Sequence, residues 1–63
     1  MEQKDMLKQL RNDAGMTQKQ FATKYEIPLS TYEQWEMGIR KPPMYVVKMI
    51  ALIEYLVKEE QHK

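Results

Sequence analysis

Leu7, Leu10 and Ala14, with Met6 beside them, recur at helical spacing, and Gly15 follows where a left-handed residue would end a helix. The pattern predicts a first helix over residues 1–14. Thr17 then opens a capping box with Gln20, while Met16 and Phe21 occupy the two positions of a hydrophobic staple, so four residues agree on a second start. The second helix runs from about Gln18 to Tyr25, with Phe21, Ala22 and Tyr25 on its inner face and Lys19, Gln20 and Lys24 pointing outward. Pro28 lacks an N–H and pushes Ile27 toward extended backbone, which makes residues 26–28 the turn.

A third helix spans Leu29 to Met37, with Tyr32 and Trp35 inward and Gly38 as its stop. Its start has two solutions. If Ser30 is the cap, Glu33 completes a second box and the hydroxyl is spent on backbone; if the helix begins at Pro28, Ser30 faces outward unengaged. Pro42 and Pro43 close the next loop and start a fourth helix over about 43–58. That helix carries two apolar stripes. Val46, Val47, Ile50, Ile53 and Val57 suit a core, whereas Tyr45, Met49, Leu52 and Leu56 recur at i, i+4, i+7 and i+11 on another side. Two apolar faces need two partners, and a domain this small cannot wrap a helix all round, so the second stripe is expected to stay exposed or to meet another chain.

Sixty-three residues make one domain, 1–63, near the lower end of what folds unaided. The absence of cysteine excludes a disulfide framework and a thiolate metal site and fits a reducing, cytoplasmic setting. The longest apolar run, Met44 to Val57, is broken by Lys48 and Glu54 and falls short of the ~20 residues of a spanning helix. No membrane association and no signal peptide are expected.

Catalysis is not expected either. His62 stands without partners at metal spacing, no Ser-His-acid or Cys-His set exists, and two glycines cannot build a phosphate loop. The expectation is a chain with no metal, no cofactor and no small-molecule substrate. The net charge of +1 is a weak sign of a polyanionic partner, but its distribution adds to it. Glu2, Asp5, Asp13, Glu54, Glu59 and Glu60 gather near the ends, whereas Lys19, Lys24, Arg40, Lys41 and Lys48 lie centrally.

Residues 17–37, two short helices with a tight turn and small polar side chains on the outer face of the second, read as a DNA-binding helix-turn-helix. At Thr17-Gln18, Phe21-Ala22, Trp35-Glu36, Gly38 and Arg40-Lys41-Pro42-Pro43 the chain resembles the Cro and phage-repressor (XRE) family over about residues 5–54. The resemblance implies an all-α fold, a compact repressor-like domain of four to five helices whose third lies in the major groove. It assigns base reading to Leu29, Ser30, Thr31 and Gln34, with Gln34 able to pair bidentately with adenine and Leu29 limited to a thymine methyl. Phosphate contacts fall to Thr17, Gln18, Lys19, Arg40 and Lys41. Arg11 and Glu36 match a family ion pair that ties the first helix to the end of the third.

Three positions depart from the family pattern. Glu26 stands where a turn glycine is common, Pro28 replaces a polar cap, and Glu33 puts a negative charge on the reading helix. The function implied is a sequence-specific, double-stranded DNA-binding regulator, a repressor acting as a homodimer on a palindromic operator, with Tyr45, Met49, Leu52 and Leu56 as the dimer or partner face. The alternative is an antitoxin-like or adaptor protein whose main partner is another protein, bound through the C-terminal helix.

Overall fold

The computed structural model describes residues 2–61 and places four helices there: α1 (Gln3–Ala14), α2 (Gln18–Lys24), α3 (Leu29–Met37) and α4 (Met44–Gln61). His62 lies outside the described residues. Each boundary has a local cause. Gly15 and Gly38 adopt φ 70° and 80°, and at each the glycine N–H and the next N–H turn back onto the last helical carbonyls. At the start of α2 the predicted box is complete: Gln20 N–H donates to Thr17 Oγ1 at 3.1 Å, and Thr17 N–H donates to Gln20 Oε1 at 2.9 Å.

The open question at α3 is decided by Pro28, which occupies the cap position with its carbonyl accepting from Tyr32 N–H and no side chain capping the helix. Ser30 is exposed. The fixed φ of proline pre-forms the helix entry, so a hydroxyl cap is not needed.

Glu26 has φ 55° in the turn between α2 and α3. A β-carbon in this region costs ~1–2 kcal/mol, part of which glycine returns through its freer unfolded chain. Glu26→Gly is therefore expected to raise stability by ~0.5–1 kcal/mol, seen in thermal melts as a gain of roughly 2–8 °C. Glu26→Ala keeps the β-carbon and should give no such gain.

The core consists of Leu7 from α1, Phe21 and Ala22 from α2, Tyr32 from α3, and Val47 and Ile50 from α4. Met6, Leu10, Ala14, Met16, Tyr25, Ile27, Trp35 and Val46 pack around it. α1 lies against both α3 and α4, and α2 lies against α3. Ala22, 1 % exposed, is the small residue that lets a neighbouring helix approach α2.

Two expectations for α4 are corrected. The helix extends to Gln61 rather than ending near residue 58, and Ile53 is 38 % exposed instead of sharing the core with Val47 and Ile50. Helical spacing turns Ile53 away from the line of Val47 and Ile50, the two residues of α4 that the core buries. No helix among the described residues is long and apolar enough to cross a membrane.

Candidate nucleic-acid interface

A buried polar node orients α3. Arg11 Nε donates to Glu36 Oε2 at 2.8 Å and its Nη2 donates to Glu36 Oε1 at 3.1 Å, a bidentate clasp. Arg11 Nη1 donates to the Met16 carbonyl at 3.1 Å, and Gln18 Nε2 donates to Glu36 Oε1 at 3.1 Å. One carboxylate at the end of α3 therefore ties together α1, the α1–α2 connection and the first residue of α2. Glu36 is 2 % exposed. Burial pushes against its ionisation, but the hydrogen bonds from Arg11 and Gln18 and the charge of Arg11 outweigh that, holding its pKa below the ordinary glutamate value. Glu36 in turn raises the pKa of Arg11.

The Tyr32 hydroxyl is buried beside this node with no hydrogen bond of normal geometry. Desolvation first, and then the Glu36 charge, raise its pKa well above the ordinary tyrosine range.

With Tyr32 and Glu36 buried and Trp35 half-buried, the opposite side of α3 faces outward. Ser30 and Leu29 are exposed there, and Thr31 and Gln34 are partly so. Helical spacing puts Ser30, Gln34 and Met37 on adjacent turns of one face, with Glu33 at its edge. Met37, 66 % exposed, carries no signal in the sequence beyond its place at the end of the helix. It offers an apolar contact suited to a thymine methyl.

The residues assigned to phosphate contact lie at the start of α2 and in the loop after α3. Thr17, Lys19, Arg40 and Lys41 are exposed. The Thr17 oxygen accepts from Gln20, which leaves its hydroxyl hydrogen as its only donor. One amide hydrogen of Gln18 is held by Glu36, so the other and the backbone N–H are what it has to offer a phosphate.

The expectation that Lys24 adds to a central positive field is corrected, because its Nζ lies 2.6 Å from Glu54 Oε2. The Tyr25 hydroxyl also donates to Glu54. Burial and this carboxylate together raise the Tyr25 pKa beyond the ordinary range. This tie between α2 and α4 joins residues 29 and 30 positions apart in the chain, and no local pattern announces it.

Lys4 has no local sequence signal for its place. Its side chain crosses Gly38, where a β-carbon would sit 3.2 Å from Lys4 Cδ, and it lines a small cleft with Trp35, Arg40 and Lys41. Glu2 lines the same cleft, and its carboxylate lies 3.7 Å from Lys4 Nζ, so one of the three cations there is paired within α1 and its cap.

Two short helices joined by a tight turn, the second braced by the first and exposing a polar face, define a helix-turn-helix. The helix-turn-helix family model matches residues 7–53. The chain belongs to the Cro and phage-repressor (XRE) branch of helix-turn-helix proteins, a family of DNA-binding regulators. Comparison with curated proteins and with solved structures gives no significant match.

Proposed function

We propose that the protein is a sequence-specific regulator of transcription, a repressor that binds a palindromic operator in double-stranded DNA as a homodimer. The observation that carries this reading is the exposed face of α3, where Ser30, Gln34 and Met37 stand on successive turns while Tyr32 and Glu36 anchor the opposite side. Such a rod presents donors, acceptors and an apolar tip at the width of the major groove. Leu29 and Thr31 complete the base-reading set. Thr17, Gln18, Lys19, Arg40 and Lys41 grip the backbone and set the register. Half-sites one helical turn apart, ~34 Å, follow if the two reading helices enter successive grooves on one side of the duplex.

Selection from randomised duplexes at ~100 mM salt should return an enriched motif, and its absence would rule out base-specific reading. Against that motif, Gln34→Ala is expected to relax preference at one base position by ~1–3 kcal/mol. Lys41→Ala should instead weaken all sequences alike and lower the slope of log affinity against log salt by about one. If both variants lost affinity equally on every sequence, Gln34 would be a backbone contact.

A second reading, in which the main partner is a different protein seated on α4, is supported by the uncovered apolar side of that helix. Purification from the native cell separates the two: a stoichiometric foreign polypeptide favours the second, a self-dimer with DNA the first.

A further inference from the structure

Glu54 stands on α4, yet its carboxylate serves the end of α2. One oxygen, Oε2, accepts from Lys24 Nζ at 2.6 Å and from the Tyr25 hydroxyl, and the Glu54 side chain is only 11 % exposed. Exposed ion pairs contribute little, but this carboxylate is shielded and has two donors. Tyr25 is held at its other end as well. Its ring meets the buried Phe21 ring edge-on at 5.0 Å, and Lys24 Nζ lies 5.4 Å from its centroid. Phe21, Tyr25 and Glu54 thus form a strut from the core to α4.

We propose that Glu54 is a positioning residue for DNA reading. By holding Lys24 and Tyr25 it fixes the direction in which the chain leaves α2, and through the turn it sets the angle at which α3 meets the duplex. The proposal rests on the DNA-binding reading above and adds to it a residue outside the exposed face of α3.

The turn transmits direction because it is short and restrained. Only Glu26, Ile27 and Pro28 separate Tyr25 from α3. Glu26 is confined at φ 55°, Pro28 is fixed at φ −54°, and Ile27 N–H donates to the Ala22 carbonyl at 2.9 Å. A displacement at Tyr25 therefore passes on to Leu29 instead of being absorbed on the way. The far end of α3 is held separately by the Glu36 node, so one carboxylate restrains the reading unit at each end.

Packing leaves this role to Glu54. Among the described residues α2 lies against α3 and α4 lies against α1, and the Glu54 contacts are the polar link from α2 to α4. Phe21, Ala22, Val47 and Ile50 still share the core if that link is lost. The fold should then survive while α2 and α3 turn relative to α4.

Glu54→Ala and Glu54→Gln carry the same charge, but only glutamine keeps an acceptor oxygen for the Tyr25 hydroxyl. A difference between them reports the strut and not the field of a carboxylate. On the motif returned by the duplex selection, well below the melting temperature, Glu54→Ala should bind about tenfold more weakly than Glu54→Gln, a usual size for coupling between separate sites. The two should bind a random duplex alike.

Without DNA, residual dipolar couplings of the backbone amides should show α2 and α3 turned against α4 in Glu54→Ala and close to their native alignment in Glu54→Gln. Tyr25→Phe keeps the ring on Phe21 and removes only the hydroxyl, so it should turn the helices the same way by less, and it replaces Glu54→Ala if that variant does not fold. Equal operator affinity for the alanine and glutamine variants, or unchanged couplings in the variant that lacks the strut, overturns the proposal. A selection that returns no motif strikes the DNA reading itself, whereas the couplings, taken without DNA, succeed or fail apart from it.

Discussion

Glu36→Ala is expected to remove ~3–5 kcal/mol of stability, so that the domain unfolds far below the melting temperature of the wild type. Removing the carboxylate strands Arg11, whose guanidinium side chain is only 18 % exposed, and takes away the acceptor of Gln18. Breaking a buried pair on one side costs ~3–5 kcal/mol, which meets or exceeds much of the roughly 3–9 kcal/mol expected for a domain of this length. The midpoint of the melt, followed by the far-ultraviolet helical signal, checks it. A variant that melts within a few degrees of the wild type would mean that the node is better solvated than its geometry indicates.

The same residue sets an acid dependence. Its pKa is lower folded than unfolded, so the unfolded chain takes up the proton first as pH falls, and stability that is fully present above the ordinary value of 4.5 is lost on descending through the folded value. Denaturation midpoints followed from neutral pH into that acid range should decline for the wild type and decline less steeply for Glu36→Gln. Parallel curves would remove Glu36 from the explanation.

Phe21→Ala is the second change expected to unfold the protein. Phe21 is fully buried, and its ring meets Tyr25 edge-on at 5.0 Å and Tyr32 at 5.9 Å, with Tyr32 in turn 6.4 Å from Trp35. This run of rings is the contact that sets α2 against α3. A Phe→Ala change in a core costs ~3–5 kcal/mol in all, of which lost edge-to-face geometry accounts for ~0.5–1.5 kcal/mol per ring pair.

Phe21→Leu retains most of the volume and should cost less, leaving a folded but destabilised domain. Chemical denaturation of Phe21→Leu, extrapolated to water, measures that loss. Its operator affinity should fall only if the angle of α3 shifts, so affinity and stability together tell packing from orientation. A Phe21→Ala protein with a normal melt would show that the rings are incidental to the fold.

Much of the chain is legible without coordinates because its signals are local. Gly15 and Gly38 stop helices through their own left-handed φ, Thr17 and Gln20 cap one through a four-residue motif, and Pro28 breaks the chain through its ring. The Arg11–Glu36 clasp spans 25 positions and is foreseeable only through family resemblance, since nothing in the spacing of two charged residues says that they meet. Ser30 illustrates the limit: its sequence permits a cap or a free hydroxyl, and the entry angle set by Pro28 selects the latter.

Local periodicity and caps were enough to define four helices, the turn between the second and third, and the apolar side of each of the first three, because these depend on neighbours within a few residues. Which side of α4 is covered, how far the core reaches along it, and which charges neutralise each other depend on how the helices pack. Ile53 stays 38 % exposed while Val47 and Ile50 are buried, Lys24 is neutralised because Glu54 reaches it from α4, and Lys4 lines a cleft with Arg40 and Lys41 because its side chain crosses Gly38. Those outcomes belong to three-dimensional proximity, which no short window of residues encodes.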